Sequence, residues 1–237
     1  MNYNPKFLHV KCFCYVLVCL LQATSYAQNG DYVSGKVLDL PMNGNLNNNN
    51  GFTFSNNSAV LTPDRFGNPN RAYRLNGSSA FISAPGFTVP TTNLTISFWI
   101  NMLGTNTEGL SMFICAANTY FYIALRNSDG TVNSYKSPTT SPFATDSKGF
   151  ITSSQIVNQN WKHIVVAFTG NTASYYLNGN PTTPVNTSTS NIGVLDNTAN
   201  NFVIGAYNAS TSANHFYFNG DVDEIKVYNR TLNSADV

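Results

Sequence analysis

The sequence predicts an all-β protein in which two antiparallel sheets pack face to face. Three observations predict it: apolar residues recur with period two over short stretches, each stretch is bounded by Gly, Pro, Asn or Asp, and no stretch keeps helical spacing long enough for a packed helix. Composition agrees. Charged residues make up only 10% of the 237-residue chain, whereas 42% are hydrophobic and 13% aromatic. Average globular chains carry about 25% charged residues. Enough apolar surface is present for a core, which excludes a disordered charged tail. The 35 asparagines dominate the polar fraction, and a surface made soluble by amides and hydroxyls suits short strands joined by many turns.

In chain order, residues 1–27 come first and stand apart from the rest. Lys6 and Lys11 precede an apolar run from Cys12 to Leu21, and Ser25-Tyr26-Ala27 offers small residues at the positions a signal peptidase reads. The run falls well short of the roughly 20 residues that span a bilayer as a helix, so a cleaved secretory signal is expected and no membrane span. Val16-Leu17-Val18 lacks the small residue expected beside a lipoprotein cysteine at Cys19. The expected organisation is a signal at 1–27 and a single domain at 28–237, placing the protein outside the cell, in a periplasm or at the cell surface.

Removing the signal leaves ten basic against eleven acidic groups, a charge of −1, and one cysteine, Cys115. No field large enough to hold a nucleic-acid backbone is implied, so nucleic acid is excluded as a partner. An exported chain with one thiol has no internal disulfide, and its core must hold without a covalent staple. Cys115 lies in the apolar stretch Met112–Ala116 and is expected to be a buried, inert thiol.

The strands follow from alternation. Thr95–Ile100 puts Ile96, Phe98 and Ile100 on one face and Ser97 with Trp99 on the other. Lys162–Phe168, Ser174–Leu177 and Asn201–Ile204 show the same pattern. Asn178-Gly179 ends a strand with the pair that tolerates positive φ at both central positions of a type I′ turn, and Ser128-Asp129-Gly130 gives a second turn after the run Tyr120–Leu125. A sandwich of about a dozen strands is the economical arrangement. Leu46–Ser58 and Ser137–Ser154, rich in Asn, Ser, Thr and Pro, are predicted as surface loops, with Asn47–Asn50 a solvated turn.

Several segments together then carry a resemblance. Leu38–Asn45, Asp64–Asn68 and Ala72–Gly77 open it, Thr95–Ile100 and Trp161–Ile164 continue it, and Tyr176-Leu177-Asn178-Gly179 and Ile204-Gly205 follow. Phe218–Leu232 closes it. In this order the segments, from about residue 35 to 236, resemble a laminin G-like domain, the concanavalin A-like jelly roll in the form found in secreted bacterial proteins. The resemblance implies a two-sheet jelly-roll sandwich. It also implies a choice of functions, because members of the family bind sugars, proteins or calcium, or accompany catalytic domains.

Catalysis finds little support. Glu108 and Glu224 are the only glutamates and lie in different motifs, and the spaced carboxylate triplet of the family's laminarinases is absent. Asp221, Asp223 and Glu224 form the one acidic cluster, within the closing-strand motif that non-catalytic relatives also carry. His163 is expected to be a packed histidine, and Trp99 and Trp161 to be core. No elbow, Cys-x-x-Cys or His-x-x-x-His pattern points to nucleophilic or transition-metal chemistry.

For calcium, the resemblance implies a carboxylate at Asp223, oxygen donors at Asn43 and Pro41, and a carbonyl at Gly77. Two readings of Asp223 stay open: calcium ligand, or acceptor for backbone amides at a turn. For sugar, a ring must lie against the apolar face of a pyranose while polar tips serve its hydroxyls. Tyr207, His215 and Tyr217 are the candidates in polar loops, with Tyr120 and Tyr122 expected to line the inner sheet. The expected function is a secreted, non-catalytic carbohydrate-binding module, with calcium as its structural ion and a polysaccharide or cell-surface glycan as its partner. The alternatives are an adhesive or structural surface protein that binds another protein and, as a minority, a polysaccharide hydrolase.

Overall fold

A computed structural model describes residues 34–117, 120–128, 130–137, 148–151, 156, 159–170, 172–183, 201–207 and 215–237, with side chains for all of these except 117, 120, 136–137 and 148–151. The chain divides into two compact units, Met1–Ser34 and Gly35–Val237, and the fold below is that of the second. The expected signal at 1–27 lies outside the described residues.

Fifteen strands and no helix occur among the described residues. In chain order they are β1 (Lys36–Leu40), β2 (Ser55–Asn57), β3 (Val60–Thr62), β4 (Ala72–Asn76), β5 (Phe81–Pro85), β6 (Leu94–Gly104), β7 (Leu110–Ala117) and β8 (Tyr120–Arg126). Then follow β9 (Thr131–Ser137), β10 (Lys148–Ile151), β11 (Lys162–Thr169), β12 (Thr172–Leu177), β13 (Asn180–Thr182), β14 (Asn201–Ile204) and β15 (Asn219–Tyr228). Sheet A runs β13-β12-β11-β6-β15-β4-β3, with β1 also paired to β15, and sheet B runs β10-β9-β8-β7-β14-β5-β2. Every pairing is antiparallel, as the hairpin signals require.

The alternation predicted for Thr95–Ile100 sets the layers. Ile96, Phe98 and Ile100 of β6 meet Ile164, Val166 and Phe168 of β11 and Val222, Ile225 and Val227 of β15 in the core between the sheets. Sheet B supplies Ile82, Phe113, Phe121, Ile123, Leu125, Phe202 and Ile204 from the other side. Phe98 meets Phe113 across the gap at 5.9 Å between ring centroids. Fully burying a ring of this kind contributes roughly 2–3 kcal/mol. At the Asn178-Gly179 turn both residues have positive φ, 50° and 79°, as the type I′ geometry demands.

A second apolar layer was not expected. Met112, Cys115, Tyr122, Ala124, Tyr135, Val203, Ala206 and Phe216 form a separate buried cluster on the outer face of sheet B. Cys115 lies within it, fully buried, its Sγ donating to the Ala206 carbonyl at 3.2 Å. The alternation within Tyr120–Leu125 therefore sorts the chain between two interiors, with Phe121, Ile123 and Leu125 in one and Tyr122 and Ala124 in the other.

The closing strand β15 is the hub of sheet A. One of its edges pairs with β6; the other is shared between β4, along Asn219–Val222, and β1, along Ile225–Tyr228. The unpaired gap between β4 and β1 falls at Asp223 and Glu224. There the register with β6 slips, since Asp223 opposes Trp99 while Lys226 opposes Ser97. Glu224 takes a left-handed φ of 46°. It is the extra residue of a β-bulge, and bulges re-aim side chains.

Candidate functional site

Three places concentrate chemistry. The first is the outer face of sheet A around the bulge. Because Glu224 is inserted, two consecutive carboxylates serve one cation: Arg65 Nη1 donates to Asp223 Oδ2 at 3.2 Å and Nη2 to Glu224 Oε1 at 2.8 Å. Arg65 arrives on the β3–β4 connection, which Asp64 shapes by accepting hydrogen bonds from the Phe66 and Asn68 backbone N–H groups and from the Asn68 amide. Its guanidinium lies 4.4 Å from the Phe66 ring centroid and 4.6 Å from that of Trp99. Trp99 in turn stacks on His163 at 5.0 Å, and His163 Nε2 is hydrogen-bonded to Ser97 Oγ at 2.7 Å. Trp99 thus belongs to the outer face of its strand, half-buried beneath an arginine, and not to the core between the sheets. His163 is the packed histidine that alternation suggested.

Burial, reinforced by the neighbouring Glu224, raises the Asp223 carboxyl to a pKa of about 7 despite Arg65. Burial lowers His163 to about 4, with Lys226 and Arg65 adding to the effect and Glu224 opposing it. One strand pair away, Arg74 clasps Asp221 with Nε at 2.7 Å and Nη2 at 3.1 Å, and the Asn101 amide completes that carboxylate's partners at 3.0 Å.

The calcium set implied by the resemblance does not assemble here. Asp223 Oδ1 accepts the Glu224 N–H at 2.8 Å, the turn-like role left open by the sequence, and Oδ2 is paired with Arg65. Of the expected set, Asp223 is thus engaged by a guanidinium. Gly77 lies at the other end of β15, its N–H donating to the Phe218 carbonyl. Phe218 is five residues before Asp223, a separation of roughly 16 Å. The Gly77 backbone, at φ 73°, passes so close to Asn219 that an added Cβ would stand 2.8 Å from the Asn219 Cβ, which explains glycine there without a metal. The Asn43 carbonyl accepts from the Asn45 amide at 3.4 Å, and Pro41 follows Leu40, the partner of Ile225. Among the described residues no group of three or more His, Cys, Asp or Glu is placed to hold a metal ion.

The second place is the rim formed by the start of β7 and the segments flanking β14 and β15. Here the structure brings three sequence candidates together. Tyr207 N–H donates to the His215 carbonyl at 2.6 Å, and His215 Nδ1 lies 3.3 Å from the Tyr207 carbonyl. The His215 and Tyr217 rings are 5.4 Å apart. Phe216 between them has φ 49° and is buried in the second apolar layer, against which Tyr207 and Tyr217 pack, half-buried like His215. Glu108, weighed from the sequence only as a catalytic carboxylate, and Asn106, which the sequence did not single out, hold the rim: Glu108 Oε1 accepts from the His215 backbone N–H at 3.3 Å, and the Asn106 amide donates to both the Tyr217 and Leu110 carbonyls at 2.6 Å.

Tyr122 does not join them. It is 2% exposed and stacked on Tyr135 at 5.6 Å, in the outer layer of sheet B and not lining the inner face. It is covered by its cross-strand partner Tyr135 and by the cluster that also holds Val203 and Phe216, so it cannot act as a surface platform. Tyr120 pairs with Ser137 in β8, and its side chain lies outside those described. Trp161, expected in the core, sits half-buried just before β11.

The third place is a hollow of about 660 Å³ on the edge where sheet A ends in β3 and sheet B in β2. The β1–β2 connection forms most of its wall, with Leu46, Asn47, Asn48, Phe52 and Phe54, and β4 contributes Tyr73. The asparagine tract, expected to be a solvated turn, is the bonded frame of this wall. Asn48 Oδ1 accepts from the Asn50 and Phe52 N–H groups while its amide donates to the Phe52 carbonyl at 2.6 Å. Asn50 Oδ1 ties the loop to β1 by accepting the Asp39 N–H at 2.9 Å. Phe52 anchors it to the core through Phe87 at 4.8 Å. The Asn run with two interleaved Phe residues was the available signal, and it reads as a loop until the edge of the sandwich closes behind it.

Comparison with known proteins agrees with this architecture. The Laminin_G_3 family model, described as the concanavalin A-like lectin/glucanases superfamily, matches residues 76–237. No curated protein matches in sequence. Among solved structures, domain 4 of AbnA, a GH43 extracellular arabinanase from Geobacillus stearothermophilus in complex with arabinotriose, superposes with a TM-score of 0.63 at 19% identity, over 85% of this chain and 96% of that one. The botulinum neurotoxin serotype D binding domain gives 0.60 at 16% identity, over 85% of this chain and 50% of that one. The binding domain of botulinum neurotoxin DC in complex with SialylT gives 0.60 at 12%, over 86% and 50%. The chain thus spans about half the length of the neurotoxin binding domains, and likeness at these identities establishes the fold alone. With more than half of the chain matched by the family model and the two antiparallel sheets expected, the protein belongs to the concanavalin A-like lectin/glucanases superfamily.

Proposed function

We propose that the protein is a secreted, non-catalytic carbohydrate-binding module, with residues 1–27 as a cleaved signal and 28–237 as the module. The observation that carries the reading is the rim, where His215 and Tyr217 present adjacent half-exposed rings beside Tyr207. Ring faces of this kind cover the apolar side of a sugar, and the phenol and imidazole tips donate to and accept from hydroxyls. Support comes also from the ligands of two structural neighbours, arabinotriose and SialylT. A non-catalytic role is supported by the acidic residues themselves: Asp221, Asp223 and Glu224 are all engaged by Arg74 or Arg65. Calcium is not required by this reading, because Asp223 and Glu224 are both ion-paired with Arg65.

The test is a glycan array with the purified protein, followed by the Tyr217→Ala and His215→Ala variants. Saturable binding that weakens about tenfold in either variant is expected, the cost of one stacked ring and its tip. Binding unchanged in both variants refutes the rim. A protein partner is the second reading, favoured by the exposed Phe66, Val60 and Leu61 (73%, 59% and 40%) on and beside edge strand β3. A stable complex with an envelope or host protein, in the absence of glycan binding, would establish it. Release of reducing ends from a polysaccharide would establish a hydrolase instead.

A further inference from the structure

The hollow at the β2–β3 edge has the properties of a ligand site that is independent of the rim. Its volume of about 660 Å³ lies inside the roughly 300–1,000 Å³ range of small-molecule sites. Its wall is held before any ligand arrives, by the Asn48 and Asn50 side-chain bonds and by the edge-to-face contact of Phe52 with Phe87. Two polar groups at the lining are unused by the protein. Among the described residues neither the Tyr73 hydroxyl nor the Asn47 side-chain amide makes a hydrogen bond, although Tyr73 is only 5% exposed. The remaining surface combines Phe52 and Phe54 with amides.

No side chain lining the hollow carries a formal charge. That absence selects the ligand. A uronate or sialate carboxylate placed there would lose hydration with no cation to receive it, a cost of several kcal/mol. Amide and phenol groups instead offer both donors and acceptors, as sugar hydroxyls require, while the Phe rings match C–H faces. We propose that this hollow is a second binding site, specific for uncharged saccharides.

The experiment measures binding of neutral and acidic oligosaccharide panels by calorimetry in the full-length protein carrying Tyr217→Ala and His215→Ala together, which weakens the rim by more than either variant alone. Neutral oligosaccharides are expected to bind, with affinity unchanged between low and high salt, and acidic ones to fail. Adding Tyr73→Phe and Asn47→Ala together removes two neutral hydrogen bonds and should weaken binding about tenfold. Asn47 is exposed, so Asn47→Ala alone, with an expected loss of about threefold, keeps the test decisive if the double variant does not fold. Preference for acidic glycans, salt-sensitive affinity, unchanged binding in the hollow variants, or no binding to either panel would each overturn the proposal. Binding lost in the combined Tyr217→Ala and His215→Ala variant but indifferent to Tyr73 and Asn47 would overturn the hollow and leave the rim standing; the converse pattern would do the opposite.

Discussion

Asp223 and His163 sit on opposite sides of Trp99, on neighbouring strands, and burial moves their pKa values toward the neutral form of each. Their effects on stability have opposite signs. Asp223 has a folded pKa of about 7 against 3.8 unfolded, so between those values the folded state holds a proton that the unfolded state has lost, and stability falls as pH rises. His163 has a folded pKa of about 4 against 6.5 unfolded, so the unfolded state holds the extra proton, and stability is lost as pH falls through that window. Integrated from pH 4.5 to 6.5, each contribution amounts to about 2 kcal/mol, and the two nearly cancel. The parent's unfolding free energy should therefore stay almost level over this range. Replacing Asp223 with Asn keeps the shape and removes one proton site, so the variant should gain about 2 kcal/mol of stability between pH 4.5 and 6.5. His163→Gln should show the mirror image, losing about as much over the same interval. Urea unfolding at four pH values in that range measures all three slopes. An Asp223→Asn profile as level as the parent's would refute the opposed burial of the two groups.

Arg65→Met leaves two carboxylates at the bulge without their cation. It should cost about 3 kcal/mol in chemical unfolding, and a loss below about 1 kcal/mol would mean the pair contributes no more than an exposed one. Calcium and a chelator should give the same unfolding midpoint for the parent, since Arg65 occupies the Asp223 side; a calcium-dependent rise above about 4 °C would restore the metal reading. Phe98→Ala removes a fully buried ring that touches Phe113 across the two sheets. It should destabilise by about 3–5 kcal/mol, checked by the shift in urea midpoint at constant slope. Gly77→Ala, forced at φ 73° against Asn219, should cost about 1–3 kcal/mol with no change in response to calcium, and calcium rescue of that variant would contradict the packing explanation.

The sequence by itself determined the central strands and which way they face, whereas β2 and β10 fall in segments that read as loops. Ile96, Phe98 and Ile100 could only share one side of a pleat, and the Asn178-Gly179 pair could only close a tight hairpin, because both statements depend on bonds between neighbours along the chain. The order of short motifs carried the family for the same reason. What lay on the outer sides of the sheets was decided by contacts between residues far apart. Asp223 as a calcium ligand and Asp223 as the partner of Arg65 are equally compatible with the closing-strand motif; the choice was made by a loop 158 residues away that brings a guanidinium over Trp99. Tyr122 could pass for a binding platform while only its own strand was in view, although the unbroken apolar run around it was a sign of a strand covered on both faces. The hollow exists because the Asn-rich connection and β4 meet at one edge of the sandwich. Periodicity reports the environment of one strand face, whereas a cavity or an ion pair is a relation between segments whose approach is fixed only when the core closes.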